Sequence, residues 1–452
     1  MRDLAEAARY LEGLINIERG SKEPTHRLSL EAISHLLACI DHPERRFAVL
    51  HIAGSKGKGS TALFAESLLR ARRQKVGTFT SPHLVSWTER FRIDGHAVDE
   101  ALLVSELATL IPHVEEMRRN GGPCTPSFFD VTTALAFAIF ARVGVRYAVV
   151  EVGLGGRLDS TNVVAPGVTC ITSIELEHTD RLGTTLAAIA GEKAGIIKPG
   201  VPVVVGELPD EASAVVFRRA REARAPALRF GLDFGVRGLR SDPMGVRAEL
   251  YHGAFRVAYR SPLLGAHNTH NAALALAATR TLGAESTAEA SGRALAETQL
   301  PGRIELLSQS PYVVVDSAHT RASLEALRAV LETLPARERD FVLSFSSGKD
   351  PRALCASLLV GARNVTVTRA DPHRSIPPQE LSRAIAGVFP DCEVRVEADP
   401  RRALRLAREA ISAQDLLCAT GSVYLAGLAR GVFAGTRQSA RVGSSHSVRG
   451  EG

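Results

Sequence analysis

Apolar and polar positions along the chain follow two rhythms that alternate. In residues 1–46 the rhythm is helical: "LSLEAISHLLACI" (28–40) repeats apolar residues every three or four positions, the spacing of one helix face. Short apolar runs of strand length then recur. They are "FAVLHIA" (47–53), "VGTFT" (76–80), "YAVVEVG" (147–153), "VTCITSI" (168–174) and "VPVVV" (201–205), and helical patterns such as "TALFAESLLRAR" (61–72) separate most of them. Alternation of this kind predicts a parallel sheet covered on both faces. "RAELYHGAFRVAYRS" (247–261) breaks the pattern, since it alternates and turns at His252-Gly253. It reads as an antiparallel hairpin on the edge of the first domain, and "NTHNAALALAATRTLG" (268–283) returns to a helix.

At "QLPGRIELL" (299–307) the pair Pro301-Gly302 interrupts the chain after a helix, and a new strand starts. A second strand–helix series runs from "YVVVD" (312–316) to "VYLAGLARGVF" (423–433). The expected organisation is therefore an α/β domain over 1–298 and a smaller α/β domain over 299–435. The tail 436–452 is Gly/Ser/Arg-rich without apolar period and is expected to be disordered.

Composition adds limits. The 452 residues are 45% hydrophobic and 23% charged, which is globular and sufficient for two or three domains. The most apolar helical run, "TTALAFAIFA" (132–141), is followed by Arg142 and Arg146 and is too short to span a membrane. The N-terminus carries acids and an amphipathic rhythm instead of a signal peptide's apolar core, so a cytoplasmic protein without a membrane partner is expected. Six cysteines lie far apart with no C-x-x-C, which argues for reduced thiols over a disulfide set or a zinc site. The net charge is +6, but the arginines are scattered and no basic run is interleaved with aromatics. This leaves no nucleic-acid partner to expect, only a mild pull on anionic substrates.

The chemistry concentrates at strand ends. "HIAGSKGKGSTALF" (51–64) is a strand, a glycine loop and a helix start, and it departs by one residue from the strict G-x-x-x-x-G-K-[ST] spacing. Glycines Gly54, Gly57 and Gly59 let the backbone wrap, so that the amides of the loop with Ser55 can point at phosphate oxygens. Lys58 is long enough to reach β- and γ-phosphates, and Ser60 or Thr61 can donate to phosphate or help place a metal. An apolar strand delivers Glu151 at its carboxyl end, where open parallel sheets bind ligands. A carboxylate beside a triphosphate needs a cation between them, and Mg²⁺ with oxygen ligands is the natural one. Ser81 in "TSPHL" (80–84) and His178 in "ITSIELEHTD" (171–180) also fall at strand ends. Lys193, beside Glu192 in a helix, reads by pattern as an ordinary surface lysine.

Together these segments resemble the folylpolyglutamate synthase/dihydrofolate synthase family of Mur-ligase-like ATP-dependent amide ligases. The motifs are "HIAGSKGKGST", "TSPHL", "ERFRIDG", "EVGLGGRLDSTN", "ITSIELEHTDRLGTTLAAIAGEKAGIIKPG", "PGRIE", "VVVDSAHT" and "ATGSVYLAG", in family order over about residues 47–426. The resemblance implies an N-terminal P-loop ATPase domain with a parallel sheet, plus a C-terminal Rossmann-like domain that closes on it. It implies a ligase that uses ATP to join L-glutamate to dihydropteroate, or to the γ-carboxylate of a folate, through an acyl phosphate. By similarity, Lys58 and the loop amides hold phosphates, while Ser81, Glu151 and His178 are metal positions. Lys193 matches a lysine that is carbamylated and helps hold a second Mg²⁺. Asn271 matches an adenine contact and Arg303 a phosphate contact. Asp316 and His319 match positions near the ribose and the reaction centre. The chain departs from the family's G-T-N-G-K-G-S with Ser55-Lys56, from D-G-A-H-N-P with "DSAHTR" (316–321), from L-D-H-T with Glu177, and from D-K-D with "SSGKD" (346–350). Lys56, Thr320 and Arg321 keep open an alternative, a ligase retargeted to another carboxylate or amino acid. A monomer is expected.

Overall fold

The structure, a computed structural model, describes residues 1–16 and 29–443. Strands β1 (Ala48–Ala53), β2 (Val76–Phe79), β3 (Phe91–Ile93), β4 (His96–Ala97), β5 (Tyr147–Glu151), β6 (Val168–Ile171), β7 (Val203–Val205) and β8 (Ala227–Arg229) form one sheet, in the order β4-β3-β2-β5-β1-β6-β7-β8. From β2 to β8 every pairing is parallel. β3 and β4 add an antiparallel edge. That edge extends the expected parallel sheet: the tight turn at Asp94-Gly95, both at positive φ, sends the chain straight back from β3 into β4.

Register decides which side chains share a face. Val49, Ala148 and Val150 face the helices Glu31–Cys39, Glu100–Asn120 and Phe128–Val143. On the same face, Ile171, Val203 and Val205 pack against the helices Leu186–Ala194 and Asp210–Glu222. The helix Lys58–Arg70 lies against β2 and β5, and Ala266–Thr281 lies against β6 and β7. Helices therefore cover both faces, as fully apolar strands require.

The hairpin read at His252-Gly253 is present as β10 (Gly245–His252) and β11 (Phe255–Ser261). It belongs to a separate three-stranded sheet with β9 (Phe234–Asp242), in the order β11-β10-β9. β9 escapes a sequence reading because Gly235 and Gly238 dilute its pattern.

The second sheet holds β12 (Glu305–Gln309), β13 (Tyr312–Val315), β14 (Arg339–Leu343), β15 (Asn364–Val367), β16 (Glu393–Val396) and β17 (Leu416–Thr420), in the order β12-β13-β17-β14-β15-β16. All pairs are parallel except the antiparallel β12–β13 edge.

The chain forms two compact units: residues 1–239, 247–261 and 266–298, and residues 240–246, 262–265 and 299 onward. Segments 240–246 and 262–265, expected in the first domain, thus belong to the second unit. Leu264 explains the latter, because it is buried in the same apolar cluster as Ile304, Val314 and Leu324. The tail expected to be disordered from 436 also needs correction. The final helix, Val423–Gly443, continues through its first eight residues. Arg437, Gln438, Ala440 and Arg441 are adequate helix formers and no proline intervenes, so an apolar stripe is not needed for one more turn or two. Residues 444–452 lie outside the described residues. No helix of the described residues is long and apolar enough to cross a membrane.

Candidate nucleotide and ligase site

Strand register brings the first set of candidates to one edge of the sheet. Glu151 pairs with Ile52, two residues before Gly54, so the carboxylate arrives beside the glycine loop. The loop then turns at Gly57, with φ 83°, into the helix Lys58–Arg70. A Cβ on Gly57 would lie 2.4 Å from Asn271 Oδ1, so glycine is required both by conformation and by the close approach of Asn271. A Cβ on Gly54 would lie 1.9 Å from Thr172 Oγ1. A Cβ on Gly59 would lie 3.3 Å from Glu151 Oε2, which puts that carboxylate against the start of the helix Lys58–Arg70. The Ser81 amide donates to the same oxygen at 3.0 Å. Ser60 and Thr61 are buried, and the Thr61 hydroxyl has no partner among the described residues.

The lysines converge on one carbonyl. Lys58 Nζ donates to the Gly54 oxygen at 3.0 Å and Lys193 Nζ at 2.9 Å. Lys193 also pairs with Glu177 at 3.2 Å. The surface reading of Lys193 is wrong, since its side chain is 2% exposed. Burial, then the nearby Lys58, push its ammonium down to about 8, against the pull of Glu177. Glu177 is buried too, which alone would raise it, but Lys58, Lys193 and Lys56 together hold it at about 2. His178 is exposed, yet desolvation by the surrounding protein still lowers it, and Glu177 opposes that shift. His178 itself takes a left-handed conformation ahead of the short helix Thr179–Leu182.

The segment after β6 is strapped to the loop. Ser55 N donates to Ser173 O at 2.7 Å, Glu175 N to Ser55 Oγ at 2.9 Å, and Lys56 N to Ser173 Oγ at 2.9 Å. Thr172 Oγ1 donates back to Lys56 O at 2.5 Å. Sequence reasoning missed this strap and the centrality of Glu177. The signal for Glu177 was its place beside His178 at a strand end.

The second unit gathers its own candidates. Arg303 bonds to the Ser317 hydroxyl. Asp316, at the end of β13, accepts from Ile304 N at 2.8 Å and Ala318 N at 2.6 Å, and burial raises its carboxyl despite those bonds. His319 Nδ1 lies 2.8 Å from the Ser317 carbonyl, to which it donates. Lys349, of the "SSGKD" run, donates to the His319 carbonyl at 2.6 Å. Thr320 caps the helix Arg321–Glu332 in a reciprocal box with Ser323, and Arg321 pairs with Glu325 one turn on at 2.9 Å. Both departures from the family motif therefore serve the start of that helix.

Residues 52–279 match the Mur ligase middle domain, and residues 302–423 match the Mur ligase glutamate ligase domain. The chain is 34% identical over 443 residues to the dihydrofolate synthase/folylpolyglutamate synthase of Mycobacterium tuberculosis, covering 90% of each. The chain belongs to the dihydrofolate synthase/folylpolyglutamate synthase family of Mur ligases. The Bacillus subtilis member is 36% identical over 340 residues, covering 71% of this chain and 76% of its own. A Mycobacterium tuberculosis folylpolyglutamate synthase structure, complexed with ADP and AMPPCP, superposes with a TM-score of 0.86 at 32% identity, over 95% of this chain and 98% of that one. Escherichia coli FolC in complex with DHPP and ADP gives 0.84 at 30% identity, over 96% and 98%. Members of this family are ATP-dependent ligases, and the retargeted alternative is not favoured by these relatives.

Proposed function

We propose that the chain joins L-glutamate to dihydropteroate, to the γ-carboxylate of a folate, or to both, at the expense of ATP. The observation that carries this reading is the meeting of Glu151 with the phosphate loop at Gly59. A carboxylate at that point tolerates a triphosphate only through a cation. Among the described residues no three His, Cys, Asp or Glu side chains form a ready-made metal cluster. Mg²⁺ does not require one, because it commonly takes one or two carboxylates together with substrate phosphates and water. We assign one Mg²⁺ to Glu151, Ser81 and His178, and to Lys193, as a carbamate, a part in holding a second. When bound, Mg²⁺ neutralises phosphate oxygens as charge develops on them.

The chain's own groups do the rest. The amides of Gly57, Lys58, Gly59 and Ser60 and the Lys58 ammonium hold the β- and γ-phosphates, and Asn271 holds the base. Arg303, Asp316 and His319 are assigned to phosphate, ribose and reaction centre on their motif. An oxygen of the acceptor carboxylate attacks the γ-phosphorus and ADP leaves, giving an acyl phosphate. The glutamate amine then attacks the acyl carbon, loses a proton and expels inorganic phosphate, which forms the amide. Charge on the transferring phosphoryl group is what the loop stabilises.

The test is ADP release by purified protein with ATP, Mg²⁺, L-glutamate and either dihydropteroate or tetrahydrofolate. Acceptor-dependent release is expected, and release no faster than without acceptor would sink the reading. Lys58→Ala should lower that rate by about 10²-fold or more. Unchanged turnover would remove Lys58 from the phosphate site.

A further inference from the structure

Glu177 places a carboxylate at the flank of a loop whose task is to hold polyphosphate. Its side chain is 10% exposed, so solvent does little to screen it. Its two oxygens are divided between two ammonium groups: Lys193 on Oε1 and Lys56 on Oε2, each at 3.2 Å. Lys193 is shared with the Gly54 carbonyl and gives up its positive charge when it becomes the carbamate assigned above, whereas among the described residues the Lys56 ammonium donates only to Glu177. Lys56 is held in this direction by its own backbone. Its amide donates to Ser173 Oγ, and its carbonyl accepts from Thr172 Oγ1 and Ser173 Oγ. The added lysine of the glycine loop is thus turned along the strap toward Glu177.

We propose that Lys56 is a positioning residue that acts through Glu177: it fixes this carboxylate and cancels its repulsion of the nucleotide's phosphates, without touching them itself. Nucleotide affinity then depends on the charge of the pair, not on Lys56 alone. The inference rests on the phosphate-loop reading above and adds to it a determinant of ATP affinity in which Lys56 and Glu177 function as one unit.

The test is the Kd of Mg²⁺-ADP and Mg²⁺-AMPPCP, measured by titration calorimetry on the full chain. The chains compared are wild type, K56Q, K56R, E177Q and K56Q/E177Q, with melting curves to check folding. K56Q should weaken binding by about tenfold, the effect of one uncompensated charge at short range. K56R should restore it. E177Q alone should bind at least as tightly as wild type, and the double variant should return to within about threefold, because the charge removed matches the charge left unpaired. In turnover, K56Q should raise KM for ATP and leave kcat within about threefold, a split that general loop damage would not give.

A K56Q affinity within about twofold of wild type overturns the proposal. So does a double variant as weak as K56Q, which would mean direct contact with phosphate. If K56Q does not fold, the E177Q arm decides, and weaker binding there overturns the proposal. Calorimetry needs no acceptor. Nucleotide binding with this pattern but without ligation would therefore sink the folate reading alone.

Discussion

At the scale of single residues, the loop that follows Glu151 hangs on a buried polar chain. His51 Nε2 lies 2.9 Å from Thr161 Oγ1, and that hydroxyl donates to Asp159. The hydroxyl proton is committed to Asp159, so Nε2 must be the donor to Thr161, and Nδ1 is left as a buried acceptor without a partner among the described residues. Asp159 also accepts from Leu154 N at 2.8 Å, which fixes the glycine-rich turn. Burial drives the two ends in opposite directions: His51 falls to about 3 and Asp159 rises to about 6. Their effects on stability oppose each other as well. Below pH 6.5 the unfolded chain protonates His51 and the fold does not, so stability is lost as pH falls toward 3. From about 6 down to 3.8 the fold holds a proton on Asp159 that the unfolded chain lacks, so stability is gained on the way down. Asp159→Asn removes the compensation. Its denaturation free energy should fall more steeply than wild type by about 1.4 kcal/mol per pH unit over that window. Urea unfolding at three pH values would show it, and parallel slopes would contradict it. Gly57 gives a second prediction. Gly57→Ala forces a Cβ into a left-handed position and onto Asn271, which should cost more than about 1 kcal/mol and abolish measurable ADP binding. A melting curve and a titration on the same sample check both.

At the scale of elements, the helix Phe128–Val143 shows how a start signal positions chemistry. Ser127 and Asp130 form a reciprocal cap, and Asp130 also accepts from Ser160 Oγ at 2.7 Å, tying the helix to the loop that Asp159 holds. Ser127→Ala should cost about 1–2 kcal/mol, read as a lowered denaturation midpoint with an unchanged slope. The central strands of the two larger sheets were legible because full burial leaves a continuous apolar run, and the glycine loop because its residues have few other uses; the partly exposed three-residue β8 was not read. β3 and β4 were not, since a three-residue and a two-residue strand carry too little period. Lys193 is more instructive. It lies four positions after Ile189 and three after Ala190, and both are buried with it, so the helix pattern already placed a lysine on an apolar face. Neighbouring Glu192 drew the reading toward the surface. Glu177 and Lys56 could not be paired from sequence at all, because 121 residues separate them and only the strap after β6 brings them together.

At the scale of the molecule, the second unit depends on residues that precede it in the chain. Leu264 is 3% exposed inside its apolar cluster, although residue 299 is where the continuous part of that unit begins. Leu264→Ala should destabilise that unit by about 2–5 kcal/mol through the cavity it leaves. Hydrogen exchange on β13, β14 and β17 would report the loss, and protection equal to wild type there would refute it. Segments 240–246 and 262–265 return the chain to this unit twice before it finally stays. A chain that follows such a path is a poor subject for recombination by parts. A chimera joined at residue 299 would set one parent's leucine into another parent's core, so exchange of glutamate-ligase domains has to carry those two short segments along with them.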